Sequence, residues 1–470
     1  MESNKDNEFH PHAGGMSTIE KVEVTGQDVD EALLFLNEAP AGELIHVDDK
    51  KLMRRVDRML MPLMFACYYL QYCDKTLLSN AGIMGIIKDT DMPANGFSNL
   101  AMAFYLSFLV SEPIQSFLLQ RFPAAKFLGV NGCLVIITGM WYKRDEQVSR
   151  MGWWYQGTSV APMVTALISY GFGHWTQSDP NLKFKSWQIL FLLFGVITIV
   201  IGILTFLFLP DNPMKSRLRR EEKIHIIERV RENQTGIENK KFKWTQFIEA
   251  VTDIKTWLLS LIVITTNVPN GAVSSFSNII TENFGYDEYT SLLLSLPGCA
   301  VAFISVWLGC WYAGQFNARG LSIIALIIPT LLGGALMAWL PATNKAGLLV
   351  GNFLTNTVGS TMPMIYSWIT ANFAGHTKKL TMNALVLMSF CIGNVIGPET
   401  FQAKDAPQYI PAKITIVAIL SFGILFTAAL DLLYMWENRK RDNEPAPDLP
   451  PNFELMDLTD KQNRNFRYLL

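Results

Sequence analysis

The sequence predicts an all-α membrane protein in which two helix bundles enclose a polar cavity. Three observations carry that prediction. Of 470 residues, half are hydrophobic and 17% are charged. A soluble domain carries about 25% charged residues, and here the deficit sits in long uncharged runs. Basic residues recur on alternate loops between those runs, the pattern that orients membrane helices. One long polar segment, Lys215 to Gln246, parts the runs into two sets.

The totals also exclude some functions. A net charge of -2 gives no electrostatic footprint for a nucleic-acid partner. The cysteines, Cys67, Cys73, Cys133, Cys299, Cys310 and Cys391, lie in or beside apolar runs without paired spacing. Neither a disulfide framework nor a metal site is expected. No phosphate loop, nucleophile elbow or metal-binding cluster stands out, so the chain does not read as an enzyme and no cofactor is expected.

Residues 1–52 read as a disordered cytosolic tail, polar and without an apolar leader, so insertion is expected to begin at the first spanning helix. Lys50, Lys51, Arg54, Arg55 and Arg58 then crowd the first apolar run and place this end in the cytosol. The first bundle covers 53–213. Its first helix, about Met59 to Ser79, ends in Gln71, Asp74 and Lys75. A charge in hydrocarbon costs roughly 2.5–3.5 kcal/mol on insertion scales. Asp74 and Lys75 therefore either line a polar cavity or sit at headgroup level and end the helix.

The second helix, about Phe97 to Leu119, carries Glu112, Pro113 and Gln115. Glu112 is either a proton-coupling carboxylate or a packing residue satisfied by a neighbour. The basic loop Gln120 to Lys126 follows, with Arg121 and Lys126. Phe127 to Tyr142 is apolar but short for a span of about 20 residues, and both its flanks are basic. Either it re-enters on the cytosolic side, or the topology is frustrated, or part of a helix pair is missing. Spans from Met151 to Phe172, with Tyr155 near its start, and from Trp187 to Leu209 complete this half: about five apolar segments.

Residues 214–255 read as a cytosolic linker. In it Ile224, Ile227 and Val230 share one side of a helix expected to lie along the cytosolic surface. Its Asn233-Gln234-Thr235 sequon then goes unglycosylated. Six spans are expected over 256–437, with Arg319, the His376 to Lys379 group and Arg439 to Arg441 on one side. Asn270, Ser274 and Asn278 are spaced by four and share a helix face. Asn356 and Tyr366 add polar groups in the fourth of these spans, and the prolines inside spans suit broken helices around a cavity. Residues 438–470 read as a cytosolic tail.

The motifs narrow this further. Leu70-Gln71-Tyr72-Cys73-Asp74-Lys75-Thr76-Leu77, Glu112-Pro113, Gln120-Arg121-Phe122-Pro123, Met140-Trp141-Tyr142-Lys143-Arg144 and Phe208-Leu209-Pro210-Asp211-Asn212-Pro213 occur in order. Leu458-Thr459-Asp460-Lys461-Gln462-Asn463-Arg464-Asn465-Phe466-Arg467-Tyr468 closes the series. With these the chain resembles the major facilitator superfamily, and within it the fungal allantoate permease branch, the anion:cation symporters.

The resemblance implies a monomeric plasma-membrane carrier with both ends cytosolic. It implies proton-coupled uptake of a small organic anion or vitamin, such as allantoate, ureidosuccinate, nicotinate or pantothenate, by alternating access. Gln71, Asp74, Lys75, Glu112, Tyr155, Asn270, Asn356 and Tyr366 are then the candidates for the substrate and proton path. Lys75 would attract a carboxylate, and Asp74 or Glu112 would take the proton. Arg121, Lys126 and Arg319 fall on the cytosolic gating loops, although Gln120 and Gly314 stand where the superfamily pattern has acids.

The larger departure lies between Gly129 and Met140, where most of the family's helix 3 and the front of helix 4 are absent. A clipped gene model or a splice form accounts for this; so does a natural carrier with a re-entrant stub. A membrane sensor or inactive carrier is the alternative reading.

Overall fold

The structure is a computed structural model. It describes residues 47–93, 96–121, 131–178, 184–233, 409–444 and 457–470, residues 241–400 apart from 284, 287 and 342, and Phe35. All regular structure among the described residues is helical. Most of the expected disordered segment 1–52 lies outside them.

Helix α1 (Asp49–Ile83) begins where the Asp48 side chain accepts from the Lys51 amide at 3.2 Å, with Asp49 in its first turn. Helix α2 (Gly96–Arg121) follows a one-turn helix, Ile86–Asp89. The short apolar segment forms α3 (Asn131–Trp141), then α4 (Arg144–Tyr155) and α5 (Gly157–Ser178). The single span expected from Met151 to Phe172 is thus two helices broken at Gln156. A Cβ on Gly157 would stand 2.8 Å from the Tyr69 amide nitrogen, so α5 starts in close backbone contact with α1. Helix α6 (Ser186–Phe208) is apolar on every side and leaves Leu192, Val196, Ile199 and Ile203 exposed, as a lipid-facing helix does.

The linker forms two helices, α7 (Arg220–Arg231) and α8 (Trp244–Thr252). Against expectation, the apolar side of α7 faces protein: Ile226, Ile227 and Val230 are buried in the core. Charge holds it there. Arg229 donates to both carboxylate oxygens of Glu146, at 2.6 and 2.7 Å, and its Nε lies 2.9 Å from Asp49. Paired charges of this geometry fix orientation as well as energy. Burial opposes the charge on Glu146, yet Arg229 outweighs it and holds the carboxyl below its usual range. Asn233 of the sequon is buried, with its side-chain amide engaged by the Tyr142 carbonyl and the Arg144 amide.

The second half runs α9 (Ile254–Asn283), α10 (Glu288–Phe316), α11 (Arg319–Trp339), α12 (Lys345–Thr355), a 3-10 turn (Asn356–Thr361), α13 (Met362–Asn372), α14 (His376–Glu399) and α15 (Ile410–Asp442). Among the described residues, five helices are long and apolar enough to cross a bilayer: Ser186–Phe208, Leu293–Phe316, Arg319–Trp339, His376–Glu399 and Ile410–Asp442. The chain is a multi-pass membrane protein. Within the second half α9 packs on α14 and α15, and α11 on α12 and α15. The first half packs α1 against α4, α5 and α6, and the halves meet where α10 lies on α4 and α5, and α2 on α14.

Helix α3 has 11 residues, about 16 Å at the helical rise, against a hydrocarbon core of about 30 Å. It does not span. From Leu134 onward it is buried, with Val135, Ile137 and Trp141 almost free of exposure, and it packs on α4, α13 and α14. An apolar helix of this kind is stable only when wrapped by protein.

The α9–α14 contact depends on small residues. A Cβ on Gly397 would stand 2.3 Å from the Val268 carbonyl oxygen, and one on Gly271 2.7 Å from the Asn394 Cα. Such seams let membrane helices approach closely. Gly397→Ala should therefore destabilise the purified chain by about 1–3 kcal/mol through overpacking. Thermal unfolding in detergent checks this, and an unchanged midpoint refutes the seam.

Candidate functional site: a polar cavity between the halves

The cavity holds about 1130 Å³, part of it open to solvent, and draws its walls from both halves. From the first half come Tyr68, Gln71, Tyr72 and Lys75 on α1, Phe104, Tyr105, Phe108 and Glu112 on α2, and Tyr155, Thr158, Ser159 and Pro162 near the α4–α5 break. The second half adds Asn270, Cys299, Asn356, Gly359, Ser360, Phe390 and Cys391.

Six sequence candidates therefore meet here: Gln71, Lys75, Glu112, Tyr155, Asn270 and Asn356. Asp74 is not among the lining residues and is exposed on α1. Successive residues of a helix point about 100° apart, and here that turn carries Asp74 off the cavity wall while Lys75 stays on it. Tyr366 is buried but not among the lining residues, its ring 6.2 Å from that of Trp154. The side chains of Ser274, Asn278 and Arg121, and all of Lys126, lie outside the described residues.

Lys75 stands among aromatic rings, its Nζ 5.2 Å from the Tyr72 centroid, 5.6 Å from Tyr105 and 6.0 Å from Phe390. Ring faces hold a cation by their quadrupoles without neutralising it. Its Nζ is buried and has no hydrogen-bond partner, and the same is true of Oε1 of Glu112, a residue only 1% exposed. Among the described residues these are the two charged ones that line the cavity. A buried ion without a partner is costly, so each is suited to a charge that arrives.

The opposite wall is made by a broken helix. Between α12 and α13 the chain tightens into the 3-10 turn, with Pro363 following. Thr357 Oγ1 ties the turn to α11 by donating to the Leu326 carbonyl at 3.0 Å. The break presents the Gly359 carbonyl to the cavity, where Tyr155 of the first half donates to it at 2.9 Å. Asn270 donates to Asn394 at 3.4 Å and to Asn267 at 3.3 Å, which sets its amide. The aromatic cage, Gly359 and the two cavity thiols are absent from the sequence candidates. Only the aromatic residues near Lys75 on α1 leave a signal in the sequence.

Arg319 lies at the basic end, fully buried, and donates from Nε to Ser367 at 2.9 Å and from Nη2 to the Arg144 carbonyl at 2.9 Å. This contact joins α11 of one half to α4 of the other.

Residues 96–398 match the Major Facilitator Superfamily. The chain is 33% identical to a thiamine pathway transporter of Saccharomyces cerevisiae, over 90% of this chain and 87% of that one. It is 32% identical to the allantoate permease of Saccharomyces cerevisiae, over 96% of this chain and 92% of the permease. Among solved structures it is similar to a proton:xylose symporter, with TM-score 0.61 and 11% identity over 82% of this chain and 96% of the symporter. It is also similar to a human organic anion transporter, with TM-score 0.54 and 11% identity over 80% of this chain and 99% of that one. Likeness at such identity shows the fold alone.

Proposed function

This chain belongs to the Major Facilitator Superfamily, a family of membrane transporters rather than enzymes, and on that premise we propose that it takes up a small organic anion or vitamin together with a proton. The observation that carries the reading is Lys75: a buried ammonium without a hydrogen-bond partner, in an aromatic-walled cavity between the halves. A carboxylate supplies the missing partner, and the rings flank the rest of the molecule. Glu112 in the same cavity takes the proton. Rocking of the two halves about this site gives alternating access, as expected for two bundles with a cavity between them.

The allantoate permease branch is the subfamily that fits best, since allantoate is itself a small carboxylate and the permease is among the similar relatives. Allantoate, ureidosuccinate, nicotinate and pantothenate are the substrates to try first, with the carrier acting as a monomer in the plasma membrane.

The second reading is a sensor or inactive carrier, and one observation favours it. Helix α3 is too short to cross, and the alignment with the permease runs over 512 positions, more than the 470 residues of this chain. Positions of the permease therefore have no counterpart here.

Uptake of labelled allantoate, ureidosuccinate, nicotinate and pantothenate by cells expressing this 470-residue chain decides between the readings, with surface expression measured in parallel. Uptake that rises as the outside is acidified supports the symporter. A chain that reaches the surface and moves none of the four anions overturns the substrate class and favours the sensor.

A further inference from the structure

The segment Asp457–Leu470, part of the expected cytosolic tail, is folded into the basic end of the molecule. Thr459, Asp460 and Phe466 have no exposure, and Tyr468 has 3%. Its anchors are on the second half. Lys378 donates to Asp460 at 2.6 Å, and Tyr468 donates to the other Asp460 oxygen at 2.7 Å. The Tyr468 hydroxyl accepts from Lys255 at 2.7 Å. Asn438 clasps the Tyr468 backbone at 2.8 and 2.9 Å, and Asn372 clasps that of Leu469 at 2.8 Å on both sides. The Arg319 amide donates to the Leu470 carbonyl at 2.6 Å. Burial opposes the charge on Asp460, but Lys378 and Lys255 outweigh it and hold the carboxyl below its usual range.

At Arg144 the seated segment meets the first half. The Arg144 guanidinium lies over the Phe466 ring, 4.3 Å from its centroid, and its Nη1 donates to the Arg467 carbonyl at 3.4 Å. Its Nε and Nη2 are buried without hydrogen-bond partners. A stacked, planar guanidinium is a contact that lysine does not reproduce.

We propose that Asp457–Leu470 is a gate element, docked on the second half, that presents Phe466 and the Arg467 carbonyl as a seat for Arg144 and so holds the basic end of the cavity shut. Opening to that side lifts Arg144 out of the seat while the segment stays on its own half. The idea rests on alternating access as proposed above and is independent of which anion is carried.

The test uses a native reporter, since the Cys391 thiol lines the cavity. Inside-out vesicles holding the full chain are treated with a membrane-impermeant maleimide, and labelling of Cys391 is followed by mass spectrometry. Arg144→Lys and Phe466→Leu should each raise the labelling rate at least about threefold, and the double variant should add little, because both remove one contact. Two outcomes overturn the proposal. One is unchanged labelling in both single variants when each elutes as a folded, monodisperse protein. The other is an additive effect in the double variant. Labelling needs no substrate, so failure of the gate and failure of the transport reading are separate results.

Discussion

Lys75→Gln should abolish concentrative uptake while the chain still reaches the surface. Among the described residues the cavity offers a carboxylate one cationic group, and that group has no other hydrogen-bond partner. Removing one member of a buried, hydrogen-bonded charge pair costs about 2–5 kcal/mol, so at least about thirtyfold in affinity is lost at the lower limit. Glutamine keeps much of the length and some hydrogen bonding, so the loss reports charge rather than space. Lys75→Arg keeps the charge but needs room for a larger, planar head among Tyr72, Tyr105 and Phe390, and should recover part of the uptake. The alternative is that Lys75 only steadies the aromatic wall. In that case Lys75→Gln would lower thermal stability and leave the concentration for half-maximal uptake unchanged. That pattern would sink the anion site.

Helix order was legible in the sequence because hydrocarbon imposes long uncharged runs and one-sided basic loops. The α9, α11, α14 and α15 spans depart from expectation only by a few residues at their ends. Inferring which polar residues meet is harder. Hydropathy places Asp74 and Lys75 at one depth, yet helical geometry sends only Lys75 into the cavity. Tyr366 is not among the lining residues, and its buried ring stacks on that of Trp154. The Gly359 carbonyl is a backbone group, and its use depends on a 3-10 turn that residue types alone do not announce.

The segment 457–470 misleads for a different reason. Its polar composition matches a disordered tail, but Asp460 and Tyr468 have fixed partners on the second half, so buried charged and hydrogen-bonded groups offset the ordering cost. Helix α3 departs from a span in ways the sequence itself shows: its flanks are both basic, and its 11 residues are about half of what a crossing needs.

Glu112→Gln should abolish pH-driven uptake and leave exchange of internal for external substrate largely intact. The balance of charge in the cavity decides this. Among the described residues Lys75 and Glu112 are its charged lining residues, so the empty carrier with both ionised is balanced. An anion bound to Lys75 leaves one excess negative charge unless Glu112 takes a proton. The loaded carrier is then balanced again, and both forms reorient without moving net charge through the bilayer. The anion with its proton is thereby favoured over the anion alone, and a monovalent substrate should move one to one with the proton, with little response to membrane potential.

With glutamine at 112, the loaded carrier is still balanced but the empty one is left with an uncompensated Lys75. Charge at the bilayer centre is costly, so the empty carrier returns slowly and net uptake stalls, whereas exchange never requires the empty form to cross. Reconstituted vesicles separate the two: a pH gradient drives net uptake in the first assay, and preloaded substrate drives exchange in the second. Equal loss of both, in a variant with normal folding and insertion, would remove Glu112 from the coupling step and return it to a packing role beside α14.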